Sequence, residues 1–192
     1  MSIIRNLFAL IGVVATIGII FLVAQFSKVQ SEFDPQALGI YKVFAIKLWE
    51  EKDAAAPMVW KFPVNEGIDA EQVKESMKSI AVQKGMFFAG ESPFYKQVEA
   101  ITGTPYRHIT FLNFCDATVG KKMADYNDAY TAMMPCTISV VQDKSGKLFI
   151  YSMNMDLLIY GGKPLPEDLK KEALKVRGNM LAIMEGAAKG EF

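Results

Sequence analysis

The sequence predicts an α+β protein with a small antiparallel sheet covered by helices, preceded by one N-terminal transmembrane helix and an amphipathic helix. Three observations lead to this fold class. An uncharged apolar run, Leu7 to Phe26, lies near the start of the chain. Strand-like segments mixed with segregated helical segments follow it. Two of the strand-like segments flank Asp143-Lys144-Ser145-Gly146, which is typical of a hairpin loop between antiparallel strands.

The apolar run is long enough to cross a membrane, because at the helical rise it spans about 30 Å, the thickness of the hydrocarbon core. A cleaved signal peptide has a shorter apolar stretch followed by small residues, whereas here Gln25 and Phe26 follow Ala24. A buried core helix is the other alternative. We expect a retained anchor at residues 1–27, with the N-terminus and Arg5 in the cytoplasm and the main domain in a bacterial periplasm.

Small residues recur within the run. Gly12, Ala15 and Gly18 are spaced by three, and Gly12 and Thr16 form a small-xxx-small pair. Small residues allow another helix to approach closely in lipid, so this side indicates a membrane-protein partner or a homodimer. The alternative is that glycine and alanine are simply tolerated in a membrane helix.

Residues 28–57 are predicted to hold a juxtamembrane helix and a short linker. Asp34-Pro35 resembles an N-cap with proline at the first helical position, and the helical pattern after it ends near Lys52. Tyr41, Phe44 and Trp49 are placed on its apolar side, which could contact the lipid surface or a partner membrane subunit. The alternative is that this side packs on the protein's own domain.

The remaining chain, 58–192, is expected to be one α+β domain. Alternation of apolar and polar residues predicts strands over 58–64 and 107–114, and a short apolar run predicts one over 86–89. The segments 135–142 and 147–153 are predicted as a pair of strands around the hairpin loop. Helical spacing and caps predict helices over 69–84, from Ser92 to about 102, from Asp116 to about 126 and over 165–188. Formal charge is zero, from 21 basic and 21 acidic residues, so no nucleic-acid partner is expected.

The two cysteines occupy strand ends in this prediction, since Cys115 ends one strand and Cys136 begins another. If those strands are neighbours, a disulfide could form in an oxidising compartment. The thiols could instead be inert and buried, or serve a redox or metal function, although their spacing matches no C-x-x-C or zinc pattern.

Methionine is abundant, with eleven in the chain, and several lie near the cysteines in sequence. Thiolate and thioether ligands select Cu(I), so Cys115, Cys136, Met134 and Met153 are a candidate copper site. The alternative is that the methionines fill core volume. We find no catalytic motif, and the only histidine, His108, lies too far along the strand from Cys115 for a local dyad.

Several segments carry a resemblance to a known family. Asn113-Phe114-Cys115-Asp116, the Pro135-Cys136 step, the Asp143–Lys147 hairpin loop and Met153-Asn154-Met155-Asp156 resemble the domain-of-unknown-function family 302, over about residues 58–160. The resemblance implies a small α+β fold, often paired as dimers, with no established activity. Met58-Val59-Trp60-Lys61, the Tyr160–Pro166 segment and the span look like a membrane-anchored branch associated with sulfur-oxidising and related proteobacteria, and Cys115 matches only that branch.

Two functions remain open from the sequence. The first is a non-enzymatic accessory or assembly subunit of a bacterial membrane complex, respiratory or sulfur-handling, with no cofactor. The second is a periplasmic thiol-redox or Cu(I)-handling protein that uses Cys115 and Cys136, with copper as its cofactor.

Overall fold

The computed structural model describes residues 2–192, and within the first helix it describes side chains at 6, 8–25 and 31. The helices are α1 (Ser2–Ser31), α2 (Ala37–Glu51), α3 (Ala55–Met58), α4 (Ala70–Gln83), α5 (Phe94–Thr102), α6 (Ala117–Tyr126), α7 (Asp156–Tyr160) and α8 (Glu167–Lys189). A 3₁₀-helix covers Asp128–Met133. The strands are β1 (Val59–Pro63), β2 (Phe87–Ser92), β3 (Ile109–Cys115), β4 (Cys136–Gln142) and β5 (Leu148–Met153).

The strands form one five-stranded sheet in the order β1-β5-β4-β3-β2, and every pairing is antiparallel. This confirms the predicted α+β class. The hairpin between β4 and β5 is closed by Asp143, whose carboxylate accepts hydrogen bonds from the backbone N–H groups of Ser145, at 2.8 Å, and Lys147, at 3.0 Å. Aspartate favours this position because its short side chain can satisfy backbone donors within the turn.

The core lies between the sheet and the layer of α4 and α8. Alternation along each strand puts Leu112, Phe114, Ile138, Val140 and Ile150 on the inner face, and none of these side chains is exposed. The helices contribute a second apolar stripe at three- and four-residue spacing, namely Val73, Met77, Ile80, Met180, Ile183 and Met184. The two stripes bury each other, and this burial fixes which face of each helix points inward.

The predicted second strand is too short. β2 continues to Ser92, paired with β3, with an irregularity between Phe88 and Gly90. Gly90 has a φ of 143°, a conformation open to glycine and rare for other residues, so it allows the irregular pairing without strain. The apolar run ends at Ala89, and the sequence pattern therefore ended the strand too early.

Three short elements were not predicted: α3, α7 and the 3₁₀-helix. Each has six residues or fewer, which is too short to show a helical period. The juxtamembrane helix also begins later than expected. Asp34 does not cap a helix that starts at Pro35; α2 begins at Ala37, and the Asp34 carbonyl accepts the Ala37 N–H in a turn.

Candidate functional site

A small cavity lies where β3 ends and β4 begins, beneath α6, the 3₁₀-helix, α7 and α8. Its volume is about 60 Å³. A single water needs about 10 to 15 Å³ by the same measure, so the cavity has room for an ion or a few atoms and not for a metabolite. Apolar groups from α6, α7 and α8 line most of it, including Val119, Ile159, Ala173 and Val176.

Sulfur is the prevailing heteroatom of the cavity wall. Both cysteines of the chain line it, together with four methionines: Cys115, Cys136, Met123, Met133, Met134 and Met155. Cys136 is directly opposite Phe114 of β3. Cys115 is the last residue of β3, where the chain leaves the sheet for α6, and its side chain lines the same cavity. Both are free thiols in the structure, so the disulfide stays a prediction for an oxidised form.

Gly120 forms part of the wall between two of these sulfurs. A Cβ placed on Gly120 would lie 3.3 Å from the Met134 Sδ and 3.6 Å from the Cys115 Sγ. The first distance is tighter than an ordinary van der Waals contact. The missing side chain at Gly120 therefore leaves space that two sulfur atoms border.

The thiols are protonated at neutral pH. Burial, and to a lesser degree the neighbouring Cys115, raises the pKa of Cys136 to about 11. Burial, and to a lesser degree the charge of Asp116, also raises the pKa of Cys115. A thiol with a raised pKa is a poor nucleophile, because only the thiolate attacks.

One member of the predicted copper set lies elsewhere. Met153 pairs with Val59 of β1, and its neighbour Ser152 pairs with Ile138 on the inner face. Met153 therefore points to the other face of the sheet, where it lines a separate open groove. The prediction that Met153 joins Met134 and the cysteines is wrong. Met123, Met133 and Met155 line the cavity instead. Gly120 also lines it, and no sequence pattern had indicated a role for this glycine.

His108 is remote from the cavity. It precedes β3, whereas Cys115 ends that strand. Its ring lies against Tyr95, with centroids 4.8 Å apart, and its Nε2 is 3.1 Å from the Thr110 Oγ1. Burial, and secondarily the charge of Lys74, lowers the pKa of His108. No Cys–His pair is formed, and among the described residues no three His, Cys, Asp or Glu side chains converge on a metal-sized space.

The apolar N-terminal helix has no contact with the domain along its central part. The window Phe8–Gln25 has a mean hydropathy of 2.5, and none of it is buried in the protein. Gly12 and Gly18 face open space, Ala15 is exposed, and the Thr16 hydroxyl donates to the Gly12 carbonyl at 2.8 Å. This helix is apolar enough to span a membrane, as predicted.

The three aromatic residues predicted on one side of α2 do not share one environment. The Tyr41 hydroxyl donates to the Gly161 carbonyl at 2.5 Å, and Phe44 is half-buried. Trp49 is 84% exposed. Five residues separate Phe44 from Trp49, about 140° around the helix, so one side of α2 packs on the domain while Trp49 faces outward.

The turn before α2 is also attached to the domain. The Asp34 N–H donates to the Gly162 carbonyl at 2.8 Å. The buried Asp34 carboxylate forms an ion pair with Lys170 of α8 and accepts the Gln36 N–H at 2.9 Å. These contacts connect the C-terminal end of α1 to both α7 and α8, a link that no local sequence pattern indicated.

Comparison with known proteins gives a family and a fold. The family model "Domain of unknown function DUF302" matches residues 60–187. A crystal structure described as an uncharacterized conserved protein DUF302 from Bacillus stearothermophilus is similar to this chain, with a TM-score of 0.55 and 14% identity over 67% of this chain and 96% of that chain. No curated protein matches. At this identity the structural match is informative about the fold alone.

Proposed function

The chain belongs to the DUF302 family of domains of unknown function, and from that premise we propose that it is a membrane-anchored accessory domain that acts by contact with a membrane neighbour and not by catalysis. The observation that carries the proposal is α1. Its large apolar side chains are 55% to 70% exposed, namely Phe8, Leu10, Ile11, Val13, Val14, Ile17, Ile19, Ile20, Phe21, Leu22 and Val23.

Exposure of this kind is costly in water. Full burial of one such side chain is worth roughly 1.5 to 3 kcal/mol, so the set amounts to on the order of 20 kcal/mol. Folding of the domain does not gain this free energy, because these side chains are exposed in the unfolded chain as well, whereas transfer of the helix into hydrocarbon does. Because the helix does not pack in its own domain, a bilayer is the environment that removes the cost.

The second helix supports the same proposal. Outward-facing apolar side chains continue along α2, including Leu38 at 56%, Val43 at 54% and Trp49 at 84% exposure. Tryptophan is typical of the membrane–water interface. We assign this outward surface to the lipid interface, and the attachment of Asp34 and Tyr41 to the domain then holds the folded part close to the membrane.

For orientation, we place the N-terminus in the cytoplasm and the domain in the periplasm, from the short basic segment before the span. The neighbour would be another membrane protein of a respiratory or sulfur-handling complex, or a second copy of the chain. Chemical crosslinking in native membranes distinguishes these two.

Alkaline carbonate extraction of bacterial membranes tests the anchor. We expect the full-length chain to stay in the membrane pellet, and the double variant Val14→Lys with Ile17→Lys to move to the supernatant, because lysine at the centre of a span is unfavourable by about 3 kcal/mol each. Val82→Lys with Ile101→Lys is the matched control. These side chains are 74% and 86% exposed on the domain, so the control should stay in the pellet.

Two results would contradict the proposal. One is extraction of the unaltered chain by carbonate, and the other is a mass that shows removal of the N-terminal segment. Protease added to intact spheroplasts reports the orientation in the same preparation, since a periplasmic domain is digested without lysis.

Thiol redox chemistry is the weaker candidate. Both cysteines line one cavity, which favours it, but burial keeps their pKa values above the ordinary value and the thiols protonated. A redox cysteine needs the opposite environment, one that favours the thiolate.

A further inference from the structure

Sulfur is the most frequent ligand atom in the wall of the cavity at the end of β3 and the start of β4, because six of the lining side chains carry it. Two lining side chains carry oxygen. The Asp116 Oδ1 accepts the backbone N–H groups of Thr118 and Val119, each at 3.1 Å, and the Tyr130 hydroxyl donates to the Leu158 carbonyl at 3.3 Å. The cavity therefore offers an ion a mainly soft set of ligand atoms.

The glycine at position 120 is independent evidence that this cavity is kept open. It lies inside α6 with an ordinary helical backbone, where alanine would form a more stable helix. The backbone therefore does not require glycine. What the glycine provides is open space between the Cys115 Sγ and the Met134 Sδ, at the point where a Cβ would contact both.

From these observations we propose that the cavity binds one Cu(I) ion through the sulfur atoms of Cys115, Cys136 and Met134. Two thiols and a thioether form a soft ligand set, and soft ligands select Cu(I) over the harder divalent ions. The cavity volume of about 60 Å³ suits a bare ion and excludes an ion that is still bound to a chelator. This site is separate from the membrane span, and neither proposal depends on the other.

Binding is a proton-for-metal exchange with no change in oxidation state. The Cys115 and Cys136 thiols each lose a proton to solvent and form a Cu–S bond as thiolates, and the Met134 sulfur donates a lone pair as a neutral ligand. Copper enters and remains as Cu(I). Two protons leave for each ion that binds.

The test is an anaerobic titration of the reduced full-length protein, in detergent micelles, with Cu(I) held by the chromophoric chelator bicinchoninate. We expect one Cu(I) to leave the chelator per chain, with sulfur ligands alone in the copper X-ray absorption spectrum. A weakly buffered titration should release two protons per copper. Excess Zn(II) should not displace the ion, because zinc competes less well for thioether sulfur.

Variants locate the site within the chain. Cys115→Ser and Cys136→Ser should each lower the affinity at least 100-fold, and Met134→Leu at least tenfold. Met153→Leu is the matched control, because Met153 lines the groove on the other face of the sheet and should leave the affinity unchanged. Both Met→Leu substitutions keep the apolar volume nearly constant, so both variants should fold. The comparison of Met134→Leu with Met153→Leu therefore still tests the site if a cysteine variant fails to fold.

Three results would overturn the proposal. The first is failure of the reduced protein to withdraw copper from bicinchoninate. The second is nitrogen or oxygen ligands in the absorption spectrum. The third is equal affinity of the Met134→Leu and Met153→Leu variants.

Discussion

Gly120 and the sulfur atoms beside it show how single residues shape the cavity. Glycine inside a helix destabilises it by about 1 kcal/mol relative to alanine, and nothing in the backbone of α6 requires it. The space that it leaves is bordered by Met134 and Cys115. At this position local stability and the open cavity are in conflict, which is common where a residue serves a function.

Gly120→Ala should therefore have two effects of opposite sign. The free protein should gain about 0.5 to 1 kcal/mol in unfolding free energy, because the Met134 side chain is flexible and can move slightly from the new methyl group. Affinity for Cu(I) should fall at least tenfold, because the methyl group takes the space of the ion. Thermal unfolding with and without copper measures both effects.

The matched control is Gly178→Ala in α8, where a Cβ would have nothing within 4 Å. It should give the same gain in stability with no change in copper affinity. Unchanged affinity in the Gly120→Ala variant would remove Gly120 from the site.

At the scale of elements, strong periodicity made the long pieces predictable. α4, α8 and the β4–β5 hairpin lie close to their predicted ranges, because many apolar residues repeat at one spacing and turn residues mark the ends. The unpredicted pieces are short: α3, α7 and the 3₁₀-helix. Their positions depend on tertiary contacts, such as the packing of α7 against α2, that no local pattern contains.

The candidate site could be predicted only in part for a related reason. The sequence placed Cys115 and Cys136 at strand ends but left open whether those strands are neighbours, and the pairing of β3 with β4 brings both residues to one cavity. Excluding Met153 requires the register of β5 against β4, because a one-residue shift moves a side chain to the other face. Register is a long-range property, so the sequence pattern placed Met153 among the ligands wrongly.

The attachment of α2 depends on Asp34. Burial alone would raise the pKa of this carboxyl, but hydrogen bonds from Lys170 and the Gln36 N–H hold the net pKa below its ordinary value of 3.8. A lowered folded-state pKa means that the stabilisation is complete above about pH 4 and is lost as the pH falls through the folded-state pKa. The junction should therefore loosen in acid.

Asp34→Asn should loosen the junction at neutral pH, at a cost of about 1 to 3 kcal/mol, because it removes a charged hydrogen-bond partner of Lys170. Hydrogen exchange at Asp34, Gly161 and Gly162 measures the change. Asp125→Asn is the matched control: its ion pair with Lys121 is exposed at 61% and 76%, and such pairs contribute little. Equal exchange in both variants would show that the Asp34 pair does not hold α2.

On the scale of the whole molecule, the chain combines an apolar span with a folded domain through two attached segments. The window Phe8–Gln25 of the apolar helix is not buried in the domain, whereas the turn at Asp34 and one side of α2 are fixed to α7 and α8. A flexible tether would let the domain move freely above a membrane. Under the proposed anchoring, the attached junction would instead turn one side of the domain toward the bilayer, the side that presents Trp49.

The two tryptophans provide the most direct measurement of this arrangement. Trp49 is exposed on α2, and Trp60 is half-buried in β1, with the Arg177 guanidinium 5.5 Å from its ring. The full-length protein is reconstituted into vesicles that contain brominated phospholipids, as Trp60→Phe to report Trp49 and as Trp49→Phe to report Trp60. If the domain is held at the membrane by α1 and α2, the lipid bromines quench Trp49 strongly and leave Trp60 unaffected. Absence of quenching at Trp49, or equal quenching of both residues, would contradict the account.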